Sequence, residues 1–130
     1  MDFFRRKVPV GAPVLRAKWP GRALDEGFVP FPKRLIRALG KLFVGPTAID
    51  ELRVILAVVD YNRPNLTPPA SVGFLAFNAG MTSDEVETHL KAMAERGWIV
   101  ARRQDDRVIV QIDGLIRKLE ELTDEETVEE

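Results

Sequence analysis

The stretch Ser71-Val72-Gly73-Phe74-Leu75-Ala76-Phe77-Asn78-Ala79-Gly80-Met81-Thr82-Ser83-Asp84-Glu85 contains two helix starts with one helix stop between them. Ser71 is a residue type whose hydroxyl satisfies orphan amides at a helix N-terminus, and the apolar residues after it predict a short helix through Ala79. Gly80 is suited to the left-handed conformation that closes a helix. Thr82 with Glu85 three residues on is a capping box, which predicts a second helix lasting to Arg96 and stopped by Gly97. Val86, Leu90 and Met93 fall on one face of that helix.

Working outward, Trp98 to Arg103 and Arg107 to Ile112 are rich in β-branched residues around the polar turn Gln104-Asp105-Asp106, which predicts a hairpin. Asp113 is placed to cap a last short helix with Leu115, Ile116, Leu119 and Leu122 on one face, a stripe that would also suit dimerisation through Leu115, Leu119 and Leu122. Upstream, Pro64, Pro68 and Pro69 make residues 62–69 a loop. The run Val54-Ile55-Leu56-Ala57-Val58-Val59 is apolar on every side, so the helix from Ile49 to Tyr61, capped by Thr47 with Asp50, should be the most buried. Before it, Phe31-Pro32 opens a helix to about Phe43, with Leu35, Ile36, Leu39 and Leu42 inward and Lys33, Arg37 and Lys41 outward. The expected core is Val54, Leu56, Val59, Leu75, Val86, Leu90 and Met93. The fold class is α+β, mostly helical.

A chain of 130 residues with 45% apolar and 30% charged residues has the balance of one globular domain. Residues 1–31, rich in Pro and Gly, read as an extended basic arm; 32–122 read as the folded domain; 123–130 read as a disordered acidic tail. The net charge of −1 hides a polar distribution: residues 1–41 carry ten Lys or Arg against three acids, whereas 120–130 carry seven acids and no base. Without cysteine, Cys-based disulfides, zinc sites and thiol nucleophiles are excluded. The segment Met1 to Lys7 lacks the apolar run of a signal peptide and Val54 to Val59 is too short to span a bilayer, so a cytoplasmic protein without membrane contact is expected.

The order of helix, loop, helix, Gly turn, helix and hairpin, with Leu75-Ala76 inside the first motif helix and Arg96-Gly97-Trp98-Ile99 leading into the hairpin, resembles the winged helix-turn-helix superfamily over roughly residues 47–112. Gly27-Phe28-Val29-Pro30-Phe31-Pro32 and the two helices after it look like the start of the amino-terminal domains of phage and plasmid replication initiators. The resemblance implies a DNA-binding protein of transcription regulation or replication initiation. Its second motif helix would present Ser83, Asp84, Glu87, Thr88 and Lys91 to bases of double-stranded DNA. Its wing would contact phosphate through Arg102, Arg103 and Arg107, and Arg5, Arg6 and Lys7 of the arm would add to this.

Two features depart from the family pattern. The base-facing helix bears Asp84, Glu85 and Glu87, which repel phosphate. Phe74 and Phe77 also stand where the family usually has charged residues. Either the arm or the last helix covers these rings, or they form a partner surface with Asp84 and Glu87. The alternative function is therefore a protein-interaction winged helix that binds a component of the transcription or replication machinery. Catalysis is not expected. His89 is the only histidine and sits between inward positions, and the carboxylate clusters Asp105-Asp106 and Asp124-Glu125-Glu126 fall in a turn and a tail that cannot hold acid–base geometry. No metal or other cofactor is implied.

Overall fold

The computed structural model describes residues 17–18, 20–26, 29, 32–63 and 66–128, with side chains to 122. The chain divides into two compact units, Met1–Pro30 and Phe31–Glu130. In the first, residues 17–18 are helical and 21–26 form turns, closed by the Asp25 N–H on the Arg22 carbonyl at 3.1 Å and by an exposed Arg22–Asp25 ion pair. Gly21, at φ +76°, lets the backbone turn within residues 21–26; most of the expected arm lies outside the described residues.

The second unit runs α1 (Lys33–Leu42), α2 (Ala48–Tyr61), β1 (Ala70–Ser71), α3 (Val72–Ala79), α4 (Ser83–Glu95), β2 (Val100–Gln104), β3 (Arg107–Gln111) and α5 (Asp113–Val128). It is α+β and mostly helical, with a three-stranded antiparallel sheet in the order β1-β3-β2. The hairpin closes through Gln104 opposite Arg107, with Asp105 in the left-handed region at φ 57°, which a short polar side chain tolerates. Strand β1, pairing Ala70 with Val108 and Ser71 with Arg107, ties the start of α3 to the sheet.

The core joins α2, α3, α4 and the inner face of the sheet. Val54, Leu75, Val86, Leu90 and Met93 are buried as expected, together with Val108 and Val110 from β3. The phase of α2 differs from the expected one: Glu51, Val54, Ile55 and Val58 are its buried face, while Leu56 and Val59 are only half-buried. An all-apolar run has no intrinsic phase, so partners set it. In α1, Leu35 and Leu42 are buried and Leu39 half-buried as expected, while Ile36 is 52% exposed and Ala38 takes the inward place. Thr47 occupies the N-cap of α2 without a side-chain cap bond, its ψ of 5° departing from the extended backbone usual at a cap, and the Asp50 carboxylate bonds Arg53.

Helix α5 packs on α1, with Leu115 buried and Leu119 and Leu122 half-buried against the same core. These leucines thus take part in the chain's own packing. The helix continues to Val128 through the region expected to be disordered. Extending an existing helix orders one residue per added hydrogen bond, and Glu is a good helix former. Among the described residues no helix is long and apolar enough to cross a membrane.

The start of α5 lies directly on the turn before β2. The Leu115 N–H donates to the Trp98 carbonyl at 2.8 Å, and a Cβ at Gly114 would lie 1.9 Å from the Gly97 carbonyl oxygen. That neighbour is backbone, so it cannot rotate aside. Gly114→Ala is expected to cost about 1–3 kcal/mol, the range of overpacked sites. Gly40→Ala, in α1 with open space around its Cβ, should instead gain up to about 1 kcal/mol from helix propensity. Urea denaturation midpoints moving in opposite directions for the two variants would bear this out; equal midpoints would refute the close approach.

Candidate nucleic-acid interface

The two-helix unit is built by local capping. The Ser71 hydroxyl accepts the Phe74 N–H at 3.0 Å and starts α3. Gly80, at φ +71°, ends it. The Thr82 hydroxyl accepts the Glu85 N–H at 3.2 Å while the Thr82 N–H donates to the Glu85 carboxylate at 2.9 Å, which starts α4. The backbone bond from Thr82, with its side-chain bond second, holds the Glu85 carboxyl below its ordinary range.

The turn between α3 and α4 is clamped from α2 by Arg53. Its Nε donates to the Ala79 carbonyl at 2.8 Å and its Nη2 to the Gly80 carbonyl at 2.6 Å, while Nη1 bonds Asp50 at 3.0 Å. A cation on the last carbonyls of a helix satisfies orphan acceptors and complements the helix dipole. Sequence reading did not find this role. The Asp50-x-x-Arg53 spacing was the only available signal, and it pointed to a local pair.

On α4, Ser83, Asp84, Glu87, Thr88 and Lys91 are all exposed on the outward face, as the motif reading placed them. Two of them are already engaged. The Thr88 hydroxyl donates to the Asp84 carbonyl one turn back at 2.9 Å. Glu87 accepts from Arg103 Nη1 at 2.5 Å, an ion pair in which both side chains are about half exposed. A residue expected to touch phosphate is thus bound to one expected to meet a partner.

The sheet register separates the three hairpin arginines. Arg103 lies opposite Val108, and with Ala101 and Val110 it shares the inner face, next to α4. Arg102, opposite Ile109, and Arg107, opposite Gln104, share the outer face as diagonal neighbours. Arg107 Nη1 also reaches the Pro69 carbonyl at 3.5 Å. Arg5, Arg6 and Lys7 lie outside the described residues.

Phe74 and Phe77 are 45% and 80% exposed, and the last helix packs on α1 and not over them. His89 is buried at the core edge, its Nε2 3.9 Å from Asp50 Oδ2. Among the described residues, no group of three His, Cys, Asp or Glu is arranged to hold a metal ion. A second feature that sequence reading missed is Glu51, buried and bonded to Arg96 Nη2 at 2.6 Å, with the Arg96 guanidinium 4.2 Å from the centre of the Trp98 ring. No family model, curated protein or solved structure matches the chain.

Because the folded state lowers the Glu85 pKa from 4.5, the capping-box contribution is complete above that value and is lost as pH falls through the folded value. The thermal midpoint of the wild type should therefore exceed that of Glu85→Gln at neutral pH, with the gap shrinking on acidification. A gap that stays constant down to the acid limb would mean that the carboxylate form is not what caps α4.

Proposed function

We propose that this chain is a winged helix-turn-helix protein of the cytoplasm that binds double-stranded DNA, acting by binding and not by catalysis in transcription regulation or replication initiation. The observation that carries this reading is the α3–α4 unit: two capped helices joined at the left-handed Gly80 and clamped by Arg53, followed directly by a hairpin with Arg102 and Arg107 on its outer face. In such units the second helix enters the major groove and the wing meets phosphate.

The charge arrangement assigns the energetics. Asp84, Glu85 and Glu87 make the exposed face of α4 repulsive to phosphate, so affinity comes from the outer wing face and the basic arm, and sequence selectivity is weak. Ser83, Thr88 and Lys91 supply the base-facing polar groups. Arg103 contributes only where it exchanges Glu87 for a phosphate. A protein-interaction winged helix is the second reading, favoured by the acidity of the α4 face, with Asp84 and Glu87 facing a basic partner.

Binding to a fluorescently labelled mixed-sequence duplex across a salt series tests both. The log–log salt slope should fall by roughly two in Arg102→Ala/Arg107→Ala. In Glu87→Gln, which releases Arg103, affinity should rise and the slope steepen by about one. A sharp loss of binding in Glu87→Gln would mean that this carboxylate reads a base directly, as an acceptor from cytosine. No duplex binding by the intact chain at low salt would overturn the DNA reading in favour of the second.

A further inference from the structure

Phe74 and Phe77 present their rings on one side of α3, a turn apart, with Cβ atoms on the order of 5–6 Å from each other. Rings as open as these, 45% and 80%, are rarely left without a ligand when they lie side by side. Their position relative to the sheet is fixed by a short chain of contacts. The Phe74 ring meets the Tyr61 ring edge-on at 5.4 Å between centroids. The Tyr61 hydroxyl donates to the Pro69 carbonyl at 2.8 Å, and Arg107 Nη1 approaches that same carbonyl at 3.5 Å. Ser71, whose hydroxyl accepts the Phe74 N–H, lies opposite Arg107 in the ladder.

These contacts gather Arg107, Tyr61 and Phe74 around the Pro69 carbonyl at the sheet edge, and the strip extends to Arg102, diagonal to Arg107 on the outer face, and to Phe77, one turn on from Phe74. We infer that this strip binds single-stranded DNA, with phosphates on Arg102 and Arg107 and successive bases stacked on Phe74 and Phe77. The combination selects the ligand class. Rings alone would suit an apolar peptide and a guanidinium pair alone would suit any polyanion, whereas cations continuing into exposed rings match a strand with unpaired bases. Every base has a π-face, so sequence preference is slight. The choice of DNA over RNA rests on the duplex-binding reading above, since a protein seated on a duplex meets the unpaired strand of the same polymer where that duplex opens.

The full chain is titrated, at low salt, against a labelled oligothymidylate of about 15 nucleotides, the matching oligouridylate and a mixed-sequence duplex. In Phe74→Ala/Phe77→Ala, affinity for oligothymidylate should fall about tenfold or more while duplex affinity stays within twofold of wild type. Phe77→Trp should keep oligothymidylate binding, because it keeps the stacking surface. The far-ultraviolet dichroism of the double variant should match wild type and its thermal midpoint should fall only by the lost Phe74–Tyr61 contact, whereas Phe77→Ala alone, which removes the more exposed ring, should keep the wild-type midpoint and still weaken oligothymidylate binding. The proposal is overturned if the double variant binds oligothymidylate like wild type or if oligouridylate binds more tightly. It also fails if the intact chain does not bind oligothymidylate, which would leave the rings to a protein partner. Duplex binding without oligothymidylate binding defeats this proposal alone. Oligothymidylate binding that needs the two rings, without duplex binding, defeats the duplex reading alone.

Discussion

The carboxylate of Glu51 lies inside the helical core, and its countercharge, Arg96, comes from the C-terminal end of α4. A buried carboxylate without a partner costs several kcal/mol, so α2 and α4 are held at the one relative phase that brings these two groups together. The same guanidinium lies over Trp98, and the Trp98 ring meets Phe43 edge-on at 5.2 Å between centroids. One cation therefore joins α2, the end of α4, the approach to the hairpin and the end of α1. Where the hairpin leaves α4, and so where its arginines stand relative to the exposed helix face, depends on this junction.

The pair's contribution is placement more than stability. Glu51 Oε1 has no hydrogen-bond partner among the described residues, and an unsatisfied buried acceptor costs roughly 1–3 kcal/mol. Arg53 acts similarly at the other end of the unit, fixing the α3–α4 turn through two carbonyls. A Cβ at Gly80 would lie 2.7 Å from its Nη2, so the glycine is required by the clamp as well as by its own φ. With α4 and the hairpin set in this way, Glu87 and Arg103 fall within reach and neutralise each other. The outer sheet face is left as the cationic part of the hairpin.

What was legible in the sequence was local. Ser71, Gly80 and the Thr82/Glu85 box act within a few residues of themselves, so the bounds of α3 and α4 could be read directly, and alternation around a polar turn disclosed the hairpin. The phase of α2 was not legible, because Val54 to Val59 offers an apolar residue in every direction and the deciding residue, Glu51, has the polarity of a surface position. The leucine stripe of α5 was visible, but a stripe does not say whether its cover is α1 or a second chain. For the candidate site, the exposure of Ser83, Asp84, Glu87, Thr88 and Lys91 on α4 was legible from helical spacing, whereas Glu87–Arg103 required knowing which strand face turns towards α4. Pairing Arg103 with Val108 across the two-residue turn would have supplied that face. The exposure of Phe77 and its continuity with Arg107 came only from three dimensions.

The most direct test of the junction is the unfolding free energy of Arg96→Met, measured beside Glu51→Met/Arg96→Met by urea denaturation. Removing the cation alone strands the Glu51 carboxylate, and the loss should be about 2–4 kcal/mol, below the fully buried case because the Arg96 side chain is 39% exposed. Replacing both partners removes the stranded charge, and most of that loss should return. Arg96→Met unfolding within about 0.5 kcal/mol of wild type, or the double variant no more stable than the single, would contradict a junction held by this pair.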